Sequence, residues 1–179
     1  MSEIREIKAS RTPTVETTSE ERTVAALAHA SSILTILVSV LSLGLGGVIF
    51  AFIPFLIYLS YKDRSRFVAY HAAQAFALQL AETVGWFVAM IAFVVVFVVL
   101  VAVTALLSVI LIGLILIPVD VLVAIAMTII LISAPFVGMA FSLVSTVETA
   151  NGRDYRYPYI GQWVEDWLAR QEAESIPAV

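Results

Sequence analysis

Residues 84–147 contain one ionisable side chain, Asp120, in 64 positions; almost all the others are Val, Ile, Leu, Phe, Ala and Met, with a few Ser, Thr and Gly. About 18 consecutive apolar residues already make a candidate membrane span, and this run is more than three times that length. A chain of 179 residues has too little else to enclose it. The feature therefore directs the chain to a lipid bilayer. Composition agrees: 61% of residues are hydrophobic and 13% charged, against roughly 45–50% and 25% in soluble domains.

The chain in order predicts an all-α integral membrane four-helix bundle. Residues 1–17 are polar and read as a flexible cytoplasmic tail. Residues 1–22 carry five Glu and neither an apolar core nor a small-residue cleavage site, so they are expected to be retained. Thr18-Ser-Glu-Glu21 has capping-box spacing and predicts a helix start. The expected transmembrane domain covers 18–158, with spans over 24–43, 48–61, 85–112 and 119–147. The first span puts Ala25, His29, Ser32, Ser39 and Ser42 near one side, a stripe that faces neighbouring helices in lipid. Ser42-Leu-Gly-Leu-Gly-Gly47 reads as a tight turn, and Pro54 interrupts the short second span.

Residues 67–83 differ in character. His71, Gln74, Gln79 and Glu82 fall on one side of a helix, with Ala69, Ala73, Phe76 and Leu80 on the other. The pattern predicts an amphipathic segment before the third span, lying along the interface or packing obliquely in the bundle. A second apolar turn is expected over 112–118, with the fourth span starting near Val119 and kinked at Pro135. After Asn151-Gly152, Ile160, Trp163, Val164, Trp167 and Leu168 recur at helical spacing in a tail over 159–179. This tail is read as a second amphipathic interfacial helix.

All ten Lys and Arg lie before the first span, between the second and third, or after the fourth. Four spans put them on one side, and the positive-inside rule makes that side cytoplasmic. The expected location is the prokaryotic cytoplasmic membrane, multi-pass, with both termini inside. The net charge is −4 and no basic run offers a surface for nucleic acid. The chain has no cysteine, which excludes disulfides and thiolate chemistry.

His29, His71, Gln74 and Glu82 form the candidate polar cluster. Ionisable groups in membrane segments are expensive and often functional. No HExxH, GxSxG or complete phosphate-loop motif accompanies them, so no catalytic or metal-binding residue and no cofactor is expected, and no cofactor-binding residue is assigned. Tyr155, Tyr157, Trp163 and Trp167 are candidates for interfacial or partner contacts.

Four stretches, Glu21-Arg-Thr-Val-Ala-Ala-Leu-Ala-His29, Tyr61-Lys-Asp-Arg-Ser-Arg-Phe-Val68, His71-Ala-Ala-Gln-Ala-Phe76 and Asn151-Gly-Arg-Asp-Tyr-Arg-Tyr-Pro158, resemble a bacterial and archaeal domain-of-unknown-function family of four-helix membrane proteins. That family is similar to the twenty-kilodalton subunit of the chloroplast Tic translocon. The resemblance covers about residues 20–160 and implies four transmembrane helices with cytoplasmic ends. The stretch between His71 and Tyr155 is longer than the family pattern. The expected function is that of a small non-enzymatic structural or accessory subunit of a larger membrane assembly, translocon-like by this resemblance. Its expected partners are the lipid bilayer and other membrane subunits, or a second copy. A small channel or carrier with a polar path at the cytoplasmic side is the alternative.

Overall fold

The first helix, α1 (Ser19–Leu41), starts where the capping box requires. Thr18 Oγ1 accepts from the Glu21 backbone N–H at 3.1 Å, and the Glu21 carboxylate accepts from the Thr18 N–H at 2.8 Å. Two of the orphan donors of the first turn are thereby satisfied. The computed structural model describes residues 16–42 and 45–175. The expected tail over 1–15, positions 43 and 44 of the glycine-rich turn, and residues 176–179 lie outside the described residues.

After α1 come α2 (Leu45–Phe50), α3 (Ile53–Tyr61), α4 (Arg66–Ser108), α5 (Gly113–Ala150) and α6 (Ile160–Ser175). The protein is all-helical, and no strand occurs among the described residues. Three helices are long and apolar enough to cross a membrane: α1 over Ser19–Ser39, α4 and α5. The expected second span is present as two short pieces. Pro54 sits in the first turn of α3, where its missing N–H costs no helical bond, so the chain restarts there after Ala51 and Phe52.

Two expectations change. No break separates residues 67–83 from the span that follows; α4 is continuous for 43 residues. α4 contains no proline and a single glycine, Gly85, and one Gly costs about 1 kcal/mol against Ala, too little to end a helix. The second turn falls earlier than 112–118, at residues 109–112, with Leu111 in the left-handed region at φ 68°. Gly113 opens α5, and Pro118 is accommodated inside it.

The fold has two compact units. Unit 1 comprises the residues up to Leu80 and those from Gly138 onward. In it α1 and the start of α4 run parallel, since His29 meets His71 while Thr35 meets Gln79 further along both helices. The interior is mostly small and polar residues, Ala25, Ala28, Ala69, Ala72 and Ala75 with His29, His71, Gln74, Gln79, Ser32, Ser142, Ser145 and Thr149, joined by Val68, Val164, Tyr58 and Tyr157. Leu27, Leu34, Leu37, Ile49, Leu56 and Leu59 face outward. This reverses the sorting of a water-soluble domain, where large apolar side chains are the ones withdrawn.

Unit 2, Ala81–Val137, pairs the rest of α4 with the first part of α5. Its outer surface is Val, Ile, Leu and Phe along both arms. Pro135 has no N–H to give the Leu131 carbonyl one helical turn earlier. The Trp86 indole Nε1–H donates to that carbonyl at 3.0 Å. In an apolar surrounding a bare carbonyl is costly, so Trp86 repairs what Pro135 breaks. Trp86→Phe is expected to destabilise the fold by about 1 kcal/mol. With Pro135→Ala also present, where residue 135 regains its N–H, the loss should shrink to a small fraction. A double-mutant cycle on unfolding in micelles checks the coupling.

Candidate functional site

The polar cluster of unit 1 joins α1, α4, α5 and the elbow between α5 and α6. His29, on the small-residue face of α1, and His71, one turn into α4, are both fully buried. His29 Nε2 lies 3.1 Å from His71 Nδ1, and His29 Nδ1 lies 2.8 Å from the Tyr157 hydroxyl. The Tyr157 hydroxyl is also 3.5 Å from Ser142 Oγ on α5. At the far end His71 Nε2 faces Asp154 Oδ1 at 3.6 Å, an ion-pair distance longer than a hydrogen bond. In the tautomer that places a proton on His71 Nε2, toward the Asp154 carboxylate, His71 Nδ1 would accept from His29 Nε2–H and His29 Nδ1 from the Tyr157 O–H.

Gln74 does different work. Its Nε2 donates to the Tyr155 carbonyl at 3.1 Å, and its Oε1 accepts from the Tyr157 N–H at 2.6 Å. One buried carboxamide thus pairs two backbone groups of an extended segment, as a neighbouring strand would. Gly161 makes this approach feasible. A Cβ there would stand 2.9 Å from Gln74 Oε1 and 3.1 Å from both the Tyr70 hydroxyl and Arg156 Cβ.

Arg156 ties the same elbow to α6. Its guanidinium pairs with Asp154 at 3.4 Å and Glu165 at 2.6 Å, and lies 5.9 Å from the centre of the Tyr70 ring. Partial burial works against its charge, but Tyr70, Asp154 and Glu165 outweigh it and raise its pKa above the ordinary value. Further along, α6 lays Ile160, Val164, Trp167 and Leu168 on the bundle. Trp167 packs 5.6 Å from the Tyr58 ring, and the Tyr58 hydroxyl donates to Gln171 Oε1 at 3.0 Å.

The structure therefore gathers three of the four candidate cluster residues, His29, His71 and Gln74. Glu82 belongs to unit 2, where its Oε1 is buried with no hydrogen-bond partner among the described residues. Of the four aromatic candidates, Tyr157 is buried in the cluster and Tyr155 supplies the carbonyl held by Gln74. Trp167 turns onto the bundle, whereas Trp163 points outward at 58% exposure beside Tyr159 at 90%. Ser142 and Gly161 belong to the site without any sequence motif to announce them, whereas Asp154 lies within the Asn151–Pro158 stretch that carries the family resemblance.

Among the described residues no group of three or more His, Cys, Asp and Glu is placed to share a metal ion. The two imidazoles are instead used on each other and on Tyr157. What the arrangement does is bind the elbow over Asp154–Tyr157 to the helices through buried hydrogen bonds.

Comparison with curated proteins and with solved structures gave no match. The family comparison matches residues 20–164 to the MamF/MmsF group, described as the magnetosome magnetite crystal formation protein family. The matched region contains all four motifs; the comparison bears out a bacterial family for them and lends the translocon resemblance no support. It also covers every residue of the buried cluster. The chain belongs to the MamF/MmsF magnetosome magnetite crystal formation protein family.

Proposed function

We propose that the protein is a small non-enzymatic component of the magnetosome membrane that supports magnetite crystal formation as a structural subunit packed among other membrane proteins or copies of itself. The observation that carries the reading is the inverted sorting of side chains. The largest fully buried residues are His29, His71, Gln74 and Gln79, while Leu, Ile, Val and Phe cover the outside of α1 to α5. Such a surface is stable only against lipid or apolar partner helices. The family description supplies the setting.

In this reading two apolar hairpins, one over 24–61 and one over 67–147, enter the membrane from the cytoplasmic side. The basic residues flanking them support that orientation: Arg22 before the first, Lys62, Arg64 and Arg66 between them, Arg153 and Arg156 after the second. The buried hydrogen bonds of Gln74 and the histidines favour a structural role over a transport path, since Gln74, Gln79 and His29 are engaged with groups of the same bundle.

The test is removal of the chain from its source organism, followed by electron microscopy of the crystals. Altered crystal size or number, restored by the wild-type chain and not by a variant with a disrupted cluster, is the expected result. Unchanged crystals in the deletion strain would refute the assignment.

A further inference from the structure

The face of α6 that points away from the bundle changes character along its length. Trp163, Asp166, Arg170 and Glu174 follow one another at helical spacing on one side, and all four are exposed. Tyr159, just before the helix, is 90% exposed and Trp163 58%. The apolar stripe of the same helix is already used: Val164 is buried in the core, and Ile160, Trp167 and Leu168 pack against it. A helix lying flat in a membrane interface needs an apolar face along its whole length. The free face of α6 offers one aromatic end and a charged remainder.

Contacts to α4 show how that aromatic end is placed. At the start of α6 the Tyr70 hydroxyl donates to the Gly161 carbonyl at 3.3 Å, and Gly161 closes on Gln74. At the other end Glu172 faces Arg66 at 3.8 Å, and Gln171 Oε1 accepts from Tyr58 near the end of α3. The helix therefore runs antiparallel to the first turns of α4. Its aromatic end is level with Tyr70 and Gln74, on the side toward the apolar body of α4. Its charged end is level with Arg66 and the basic turn before it.

Tyr159 is also held in the left-handed region, at φ 63°, a conformation that bulky side chains rarely adopt. Strain kept at a ring that the bundle does not bury points to a contact outside the bundle. Tyr and Trp are the side chains enriched where lipid meets water, because each joins an apolar ring to a hydrogen-bonding tip. We propose that α6 meets the membrane end-on, with Tyr159 and Trp163 seated in the lipid headgroup zone and the charged part of the helix standing out of it in water. The phenol O–H and indole N–H then find acceptors in lipid phosphate and ester groups. The aromatic pair acts as a stop that sets how deep the start of α4 sits. This inference rests on the membrane reading above.

The chain has no cysteine of its own, so single cysteines report depth directly. Tyr159→Cys, Trp163→Cys, Arg170→Cys and Glu174→Cys, all at exposed positions, carry a nitrobenzoxadiazole fluorophore on the full chain. Val94→Cys, on the exposed apolar surface of α4, is the reference. Each is reconstituted in phosphatidylethanolamine and phosphatidylglycerol vesicles. Quenching is measured with lipids bearing a nitroxide in the headgroup or in the acyl chain, and with iodide on both sides of the membrane. The labels at 159 and 163 should be quenched by the headgroup nitroxide at least about threefold more strongly than those at 170 and 174, which should respond to iodide instead. Equal headgroup quenching at all four positions would mean a helix lying flat and would overturn the end-on placement. Lipid quenching at 94 but none at 159 and 163 would overturn it as well, leaving the pair to water or a protein partner and the membrane reading intact. Absence of lipid quenching at 94 too would overturn both.

Discussion

Trypsin cleavage after Arg153 and Arg156 is expected to accelerate about a hundredfold in Gln74→Leu, the equivalent of ~3 kcal/mol. The wild-type carboxamide satisfies the Tyr157 N–H and the Tyr155 carbonyl, both held against the bundle. Leucine fills similar volume and offers neither donor nor acceptor, so two backbone groups lose their partners at once, each worth about 1–3 kcal/mol when buried. The segment then gains by opening to water, and local opening is what a protease reads. The ion pairs of Arg156 are largely exposed and worth at most about 1 kcal/mol, so they cannot hold the elbow alone. An unchanged cleavage rate in detergent micelles would mean that Gln74 is not the fastening of the C-terminal segment.

The second large effect is expected at Gly113. A Cβ on this residue would run into the Thr104 carbonyl, the Ser108 amide nitrogen and the Ser108 hydroxyl. Two of these are backbone atoms, which yield only if one helix end moves. Gly113→Ala should therefore destabilise unit 2 by about 3 kcal/mol, at the upper end of overpacking costs, seen as a lower midpoint in an SDS unfolding titration. Gly85 is the internal control. A Cβ there meets nothing within 4 Å, and alanine in a helix is favoured over glycine by about 1 kcal/mol. Gly85→Ala should leave the midpoint unchanged or raise it. Equal effects of the two substitutions would contradict the close packing of the turn.

Much of this was legible before the structure. The apolar run predicted long apolar helices, and α4 and α5 are the two longest helices apolar enough to cross a membrane. Thr18 and Glu21 announced the start of α1 because a cap is a local arrangement four residues long. The histidines and Gln74 stood out because polar residues are scarce in such a chain. The direction in which they point was less legible. The pattern over 67–83 left open an interfacial helix or one packed obliquely in the bundle; its polar face turns inward and meets the polar stripe of α1. When the outside is apolar, amphipathicity reads with its sign reversed.

The partners of the cluster were hidden for another reason. His29 meets Tyr157 across 128 positions and Gln74 meets the same residue across 83, and periodicity carries no information at such separations. Trp86 was equally unreadable. Its indole repairs a carbonyl freed by Pro135, but only the pairing of α4 with α5 brings the two together. The turn at 109–112 was read a few residues late because Gly113 and Pro118 mark a helix start as well as a loop. Leu111 takes the left-handed conformation instead, which nothing in its side chain foretells.

The orientation of the two hairpins is the central claim, and one labelling experiment addresses it. Asp63→Cys lies in the basic turn between the hairpins and Asn151→Cys follows the second; both positions are exposed. Intact cells and inverted membrane vesicles are treated with a membrane-impermeant maleimide. With both hairpins beginning and ending on the cytoplasmic face, as proposed, both cysteines should react in inverted vesicles and neither in intact cells. Reaction of one on each side, or of both in intact cells, would contradict it.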